Sequence, residues 1–185
     1  MAEIDDAIER ADREAFTRQP PKTLQARINF LMKQLKTTRA VAAELDVSQR
    51  SVERYRKGER KHPPKAIADR IDNAVRQRWQ PQVRRRRQKQ AATTTGITVE
   101  TRARFGYTAP IGTTDDGRFR RLTVHLPPTY AQRLFDARQA GAGDQEMRRI
   151  IAEGFKDIYF QDGGARAMGL SDVTLNDIDY LDLDY

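Results

Sequence analysis

Thr38 to Lys57, TRAVAAELDVSQRSVERYRK, constrains this chain more than any other stretch, because its apolar residues fall where two short helices joined by a tight turn need them. Val41 and Leu45 are spaced i, i+4 on a first helix. Val47 follows the turn, and Val52 and Tyr55 are spaced i, i+3 on a second helix, so five side chains can close one small core. Ala42 supplies the small side chain needed where the helices touch, and Ser48 reads as the N-cap of the second. Asp46 stands where glycine in a left-handed turn is common, a conformation that Asp tolerates better than most residues. The spacing predicts a helix-turn-helix whose second helix turns Gln49, Arg50, Ser51, Arg54 and Arg56 to solvent. Set into a major groove by its N-terminal end, that helix would bring Gln49, Arg50 and Ser51 to base edges and Arg54, Arg56 and Lys57 to phosphates, with Ser48 also counted among the DNA-binding residues. The plainer reading is a two-helix hairpin with a solvated basic face; spacing, cap and outer charge together favour the DNA-reading one.

Charge points the same way. The chain of 185 residues carries 34 Lys and Arg against 26 Asp and Glu, a formal net charge of +8, which favours a polyanionic partner. Without cysteine it has no disulfide framework, thiolate nucleophile or cysteine zinc site, and His62 and His125 cannot build a metal centre alone. No apolar run reaches membrane-spanning length, and the opening MAEIDDAIER reads as an acidic amphipathic helix rather than a signal peptide. The expectation is a soluble cytoplasmic protein with no membrane partner.

The basic excess is local. Pro20 to Gln90 holds twenty Lys or Arg against six Asp or Glu and ends in Arg84, Arg85, Arg86, Arg87 and Lys89, whereas Ser171 to Tyr185 holds five Asp and no basic residue. Helices are expected over Glu3 to Arg18, Leu24 to Leu35 and Lys65 to Trp79, punctuated by Pro20-Pro21, Pro63-Pro64 and Pro81. Polar QKQAATTTG then reads as a linker. Beyond it the period shortens to two: Ile97 to Tyr107 and Arg118 to Leu126 read as strands, Thr108 to Gly117 as a loop, and helices follow from Pro128 to Gln139 and from Gln145 to Phe160. The expected fold is α+β and mainly helical. Its parts are a helix-turn-helix domain (1–80), a basic polar linker (81–96), a domain of a hairpin and two helices (97–161) and an acidic tail (162–185).

Two stretches admit several readings. A lone hairpin is marginal, so it is expected to pair across a homodimer or join a partner sheet. The order strand-helix-helix in FRRLTVHLPPTYAQRLFDARQAGAGDQEMRRIIAEGF also matches dimeric ribbon proteins that lay Arg118, Arg120, Arg121, Thr123 and His125 in a groove. Arg84, Arg85, Arg86 and Arg87 read first as a DNA backbone contact, because successive arginines repel one another unless a polyanion is near. The alternating tail NDIDYLDLDY could pair as a strand or compete with DNA for the basic region; disorder is the blander and preferred reading.

Taken together, RAVAAELDVSQRSVERYRKGERKHPPK, GYTAPIGTTDDGRFRRLTVHLP, the arginine tract and the length resemble the telomere terminal proteins of linear Streptomyces-type chromosomes and plasmids, over essentially the whole chain. The resemblance implies a protein that becomes covalently joined to the 5′ end of DNA through a threonine hydroxyl, primes the synthesis that fills the recessed end, and caps it. The matching residue is Thr114. It also implies deoxycytidine triphosphate (dCTP) as first nucleotide, Mg2+ supplied with a cellular DNA polymerase, a telomere-associated protein, telomeric DNA as duplex and single-stranded end, and a place in the nucleoid at DNA ends. Such a chain is a primer and polymerase substrate, not an enzyme.

Protein priming requires a side-chain hydroxyl in place of a primer 3′-OH. On residue chemistry alone Thr113, Thr114, Thr108 and Tyr107 are all eligible. The polymerase's metal ions activate the attacking oxygen and stabilise the leaving group, so the primer needs reach more than a base of its own. Asp115 and Asp116 are candidates for holding a metal or positioning the hydroxyl, but turn formation is the preferred reading. The competing reading of the whole chain is a helix-turn-helix transcriptional regulator or plasmid partition protein with a C-terminal dimerisation domain.

Overall fold

The computed structural model describes residues 3–108, 118–165, 167 and 169–185, and the chain is a mainly helical α+β protein. Its helices are α1 (Glu3–Glu14), α2 (Leu24–Leu35), α3 (Thr38–Leu45), α4 (Gln49–Lys57), α5 (Lys65–Arg78), α6 (Pro81–Gln90), α7 (Pro128–Gln139) and α8 (Asp144–Phe155). The strands β1 (Ile97–Thr108), β2 (Arg118–Leu126) and β3 (Asp172–Asp184) form one antiparallel sheet in the order β2-β1-β3. The chain separates into a helical unit, Phe16–Gln82, and a sheet unit, Met1–Ala15 with Val83–Tyr185. The helical unit ends at 82/83, within two residues of the expected 80/81, whereas the residues on both sides of 96/97 belong to the sheet unit. α1 belongs to the sheet unit, and the helical unit is an insertion between α1 and α6.

In the helical unit, Ile28 and Leu31 of α2, Val41, Ala42 and Leu45 of α3, Val52 and Tyr55 of α4, and Ile71, Ala74 and Val75 of α5 form the core. Thr23, Thr37 and Ser48 cap α2, α3 and α4, each side-chain oxygen accepting from the backbone N–H three residues on, at 3.2, 3.1 and 3.2 Å. Each cap contributes about 1 kcal/mol. Asp46 closes α3 in the left-handed region (φ 52°), and Arg70 of α5 braces that turn by donating to the Leu45 carbonyl at 3.1 Å and to the Asp46 carboxylate at 2.9 Å. Trp79, half-buried just past α5, meets Phe30 edge-on at 5.0 Å and donates its indole N–H to the Arg18 carbonyl.

In the sheet unit, β1 is the central strand. It pairs with β2 from Ile97↔Leu126 to Phe105↔Arg118 and with β3 from Thr98↔Asp184 to Thr108↔Asp172, with the register slipping between Arg102 and Arg104. One face is apolar: Ile97, Val99, Phe105, Leu122, Val124, Leu126, Val173, Leu175, Leu181 and Leu183 are buried in one core with Ile4 and Ile8 of α1, Leu134 of α7 and Ile151 and Phe155 of α8. At the slip Thr101 is buried and donates to the Tyr180 carbonyl at 2.7 Å. α8 approaches the sheet so closely that a Cβ on Gly154 would lie 2.8 Å from Leu126 Cδ1, so a larger residue there would force the Leu126 side chain to shift.

Two expectations are overturned. Within the expected acidic tail (162–185), Asp172–Asp184 is neither disordered nor peripheral but the strand β3, whose Val173, Leu175, Leu181 and Leu183 supply one side of the core and whose backbone completes the β1 ladder. The linker (81–96) is helical, running through α6 into a π-helical turn at Ala91–Thr95.

Charge knits this unit internally. Arg84 of α6 donates two parallel hydrogen bonds to the Glu9 carboxylate at 3.1 and 3.0 Å, and Arg138 of α7 donates to Glu9 and Asp5, both at 2.6 Å. Asp12, fully buried, accepts from Gln88 at 3.1 Å and from the Tyr185 hydroxyl at 2.6 Å. Burial opposes the charge on Glu9, but the guanidinium groups of Arg138 and Arg84 outweigh it and hold the carboxyl below its usual 4.5. A lowered folded-state pKa gives stability that is present above the ordinary value and is lost as pH falls through the lowered one. The unfolding midpoint of the sheet unit is therefore expected to decline as pH drops below 4.5 in a thermal melt series, with part of that slope missing in a Glu9→Gln chain. An identical slope in both chains would remove Glu9 as its source.

Candidate nucleic-acid interface

α4 is held by its buried side and exposes the other. Val52 and Tyr55 are fully buried, which turns Arg50, Arg54 and Lys57, spaced i, i+4, i+7, away from the core. Gln49, Arg50, Arg54, Arg56 and Lys57 are all exposed. Ser48 and Ser51 are tied to each other: Ser48 Oγ caps the helix and lies 3.0 Å from Ser51 Oγ. Arg56 lies beside Tyr55, off the Arg50 stripe, with its carbonyl accepting from Gln25 Nε2 at 2.9 Å. Arg54 and Lys57 share Glu59 at 3.8 and 4.0 Å, exposed pairs that restrain little. The result is a short, rigid helix with a cationic ridge of the width a major groove admits.

The four-arginine run is divided by helical phase. Arg84 is 9 % exposed and bound to Glu9, so it is withdrawn from the candidate interface; its partner lies 75 residues away in the sequence, out of reach of local reading. Arg87, one turn on, is half-buried and 3.9 Å from Asp184. Arg85 and Arg86 remain exposed.

The hairpin presents Arg121, Thr123 and His125 of the outward row expected of it, but not Arg118 and Arg120. Thr98↔His125, Glu100↔Thr123, Arg102↔Arg121 and Arg104↔Phe119 share the face away from the core, so Arg118 and Arg120 belong to the opposite register, beside Phe105 and Ala103. The open face is cross-linked by charge. Arg121 donates to Glu100 at 2.6 Å and Arg102 to Asp179 at 2.7 Å, and Arg104 is 3.6 Å from Asp177. The Arg121 guanidinium, with the Tyr180 hydroxyl, holds the Glu100 carboxyl below its ordinary value. Thr98 Oγ1 is 3.1 Å from His125 Nδ1. Phe119 stands in this row 49 % exposed. Sequence reading missed Phe119, Arg102 and Arg104; the signal was the period-two phase, which puts Phe119 in step with Arg121 and out of step with Leu122.

Thr113, Thr114, Asp115 and Asp116 lie outside the described residues, in the segment 109–117 between β1 and β2. The flanks are fixed: β1 continues past its last partner in β2 to pair Tyr107 with Val173 and Thr108 with Asp172. Below that end sits an aromatic cluster, in which Phe160 meets Phe105 at 5.7 Å, Tyr107 at 5.0 Å and Tyr159 at 5.0 Å. The Tyr107 hydroxyl is buried beside it. Among the described residues no group of His, Asp and Glu is placed to hold a metal ion, and no helix is long and apolar enough to cross a membrane. Comparison of the chain with protein-family models, with curated proteins and with solved structures found no match.

Proposed function

We propose that this chain is a DNA-binding terminal protein, joined through the Thr114 hydroxyl to the 5′ end of linear DNA, where it primes end-filling synthesis and caps the end. The observation that carries the DNA-binding part is α4: a capped helix seated by Val52 and Tyr55 with Gln49, Arg50, Arg54 and Lys57 exposed. The terminal-protein part is supported by the resemblance of the helix-turn-helix and GTTDDG stretches to the telomere terminal proteins. In the reaction, Thr114 Oγ attacks the α-phosphorus of dCTP. An O–P bond forms, the bond to the β-phosphate breaks, pyrophosphate leaves, and the hydroxyl proton passes to the polymerase site or solvent. A DNA polymerase supplies Mg2+ and catalysis, so the chain is a substrate and not itself an enzyme. A telomere-associated protein would bring it to telomeric DNA in the nucleoid.

Incubation with labelled dCTP, telomeric template and cell extract tests this directly. The expected result is label on the protein that resists denaturation, and absence of any label would sink the priming role. A regulator or partition protein would instead bind a palindromic duplex and acquire no nucleotide.

The two kinds of arginine should separate cleanly. Arg50→Ala is expected to weaken duplex binding by about 1–3 kcal/mol with little change in folding. Arg84→Ala should leave duplex affinity as it was while lowering stability by about 1.5–3 kcal/mol, because it removes one of the two guanidinium groups bound to Glu9 and leaves Arg138. Gel-shift titration and denaturant unfolding of both chains read the difference; a loss of duplex affinity on Arg84→Ala without destabilisation would restore Arg84 to the interface.

A further inference from the structure

We infer that the open face of the sheet around Phe119 is a stacking site for single-stranded DNA, which deepens the proposed function by giving the DNA end a place on the sheet unit. Phe119 is the one large hydrophobic side chain strongly exposed among the described residues. Nothing in the packing of β2 requires it, since Leu122, Val124 and Leu126 face the core and position 119 faces water. A threonine or lysine would serve a strand there without leaving a ring in solvent. The guanidinium carbons of Arg104 and Arg102 lie 5.4 and 5.9 Å from the ring centroid, so the aromatic surface is framed by two cations.

A second aromatic, Tyr180, lies across β1 on the other side of the same row, with Arg121 5.9 Å from its ring centroid. Beside Phe119 is a hollow of about 410 Å³ lined by Arg102, Phe119, Asp177, Ile178 and Asp179, room enough for a base and its sugar. Aromatic rings interleaved with arginines on a sheet are what single strands need: a base stacks on a ring and its phosphate takes a guanidinium. A duplex offers no such free base face, which selects the single-stranded partner.

The acidic strand sets the strength of the site. Arg102 is bound to Asp179 and Arg104 to Asp177 through half-exposed contacts, so phosphates and carboxylates compete for the same two cations. Phe119 is also five residues on from Thr114, so a strand stacked here is held by the part of the chain that carries the proposed primer hydroxyl. The hollow between α8 and β3 lacks these features: Arg148 and Arg149 there are already bound to Asp144, Glu3 and Glu146.

The test is fluorescence anisotropy with labelled oligo-dT of about twelve nucleotides, and with a labelled duplex as the second arm, at about 0.1 M salt. Phe119→Ala is expected to weaken oligo-dT binding roughly tenfold and Phe119→Trp to preserve it. The double variant Asp177→Asn, Asp179→Asn should tighten it severalfold by freeing the two arginines. Duplex binding, which belongs to α4, should be unchanged in all three. Failure of the unaltered protein to bind oligo-dT, equal affinity of Phe119→Ala, or a parallel loss on the duplex would each overturn the site. The measurement uses neither polymerase nor dCTP, so its failure leaves the labelling experiment standing, and the failure of labelling leaves this one standing.

Discussion

A Thr114→Ala chain is expected to acquire no nucleotide at all from labelled dCTP, template and extract, whereas Thr113→Ala and Tyr107→Phe chains acquire it as the unaltered protein does. The expected loss is complete because the side-chain oxygen is a reactant, and no neighbouring group replaces the bond it forms. Thr114→Ser should retain labelling, since a hydroxyl at the same position preserves the nucleophile. Tyr107→Phe is expected to be neutral because the Tyr107 hydroxyl is buried and its ring packs on Phe160. Thr113 and Thr108 are separated from Thr114 only by the experiment. Full labelling of the Thr114→Ala chain, with loss in Thr113→Ala, would move the junction by one residue and leave the mechanism intact.

A chain ending at Leu170 is expected to lose the cooperative unfolding of the sheet unit entirely. Removing β3 strips Val173, Leu175, Leu181 and Leu183 from the core. At about 1.5–3 kcal/mol each, that is about 6–12 kcal/mol, comparable with the whole stability of a domain. It also opens the full length of β1 to solvent on one side and removes the Tyr185 hydroxyl from Asp12. The chain carries its own reporter for the contrast. Its single tryptophan, Trp79, lies in the helical unit, so the fluorescence transition of that unit should persist while the circular-dichroism transition of the sheet unit disappears. Retention of both transitions at their original midpoints would show that β3 is dispensable.

What was legible in the sequence is what is local. The helix-turn-helix could be read residue by residue because its caps, its left-handed Asp46 and its apolar spacing all lie within twenty positions. α2 falls on the residues its apolar stripe marked, Leu24–Leu35. What was illegible is long-range. The alternation in NDIDYLDLDY carries the period of a strand facing a core, but nothing near it in the sequence identifies β1 as its partner, and its four aspartates point toward solvent. Arg84 was mistaken for the same reason: charge repulsion within its own run is visible in sequence, whereas the Glu9 carboxylate that resolves it is not. The same limit hid the membership of α1, whose acidic face answers Arg84 and Arg138 rather than solvent.

The insertion of the helical unit between α1 and α6 sets an order of assembly during synthesis. Every element of the helical unit is out of the ribosome once residues 16–82 have emerged, and its contacts are short in sequence, so it can fold while translation continues. α1, although made before the helical unit, has to wait, because its Asp12 is satisfied by Gln88 and Tyr185 and its Glu9 by Arg84 and Arg138. The proposed DNA-reading helix would thus be competent on the nascent chain before the sheet that carries the Thr114 segment exists. Engagement of nucleic acid during translation would then precede, and never follow, the closure of the sheet unit.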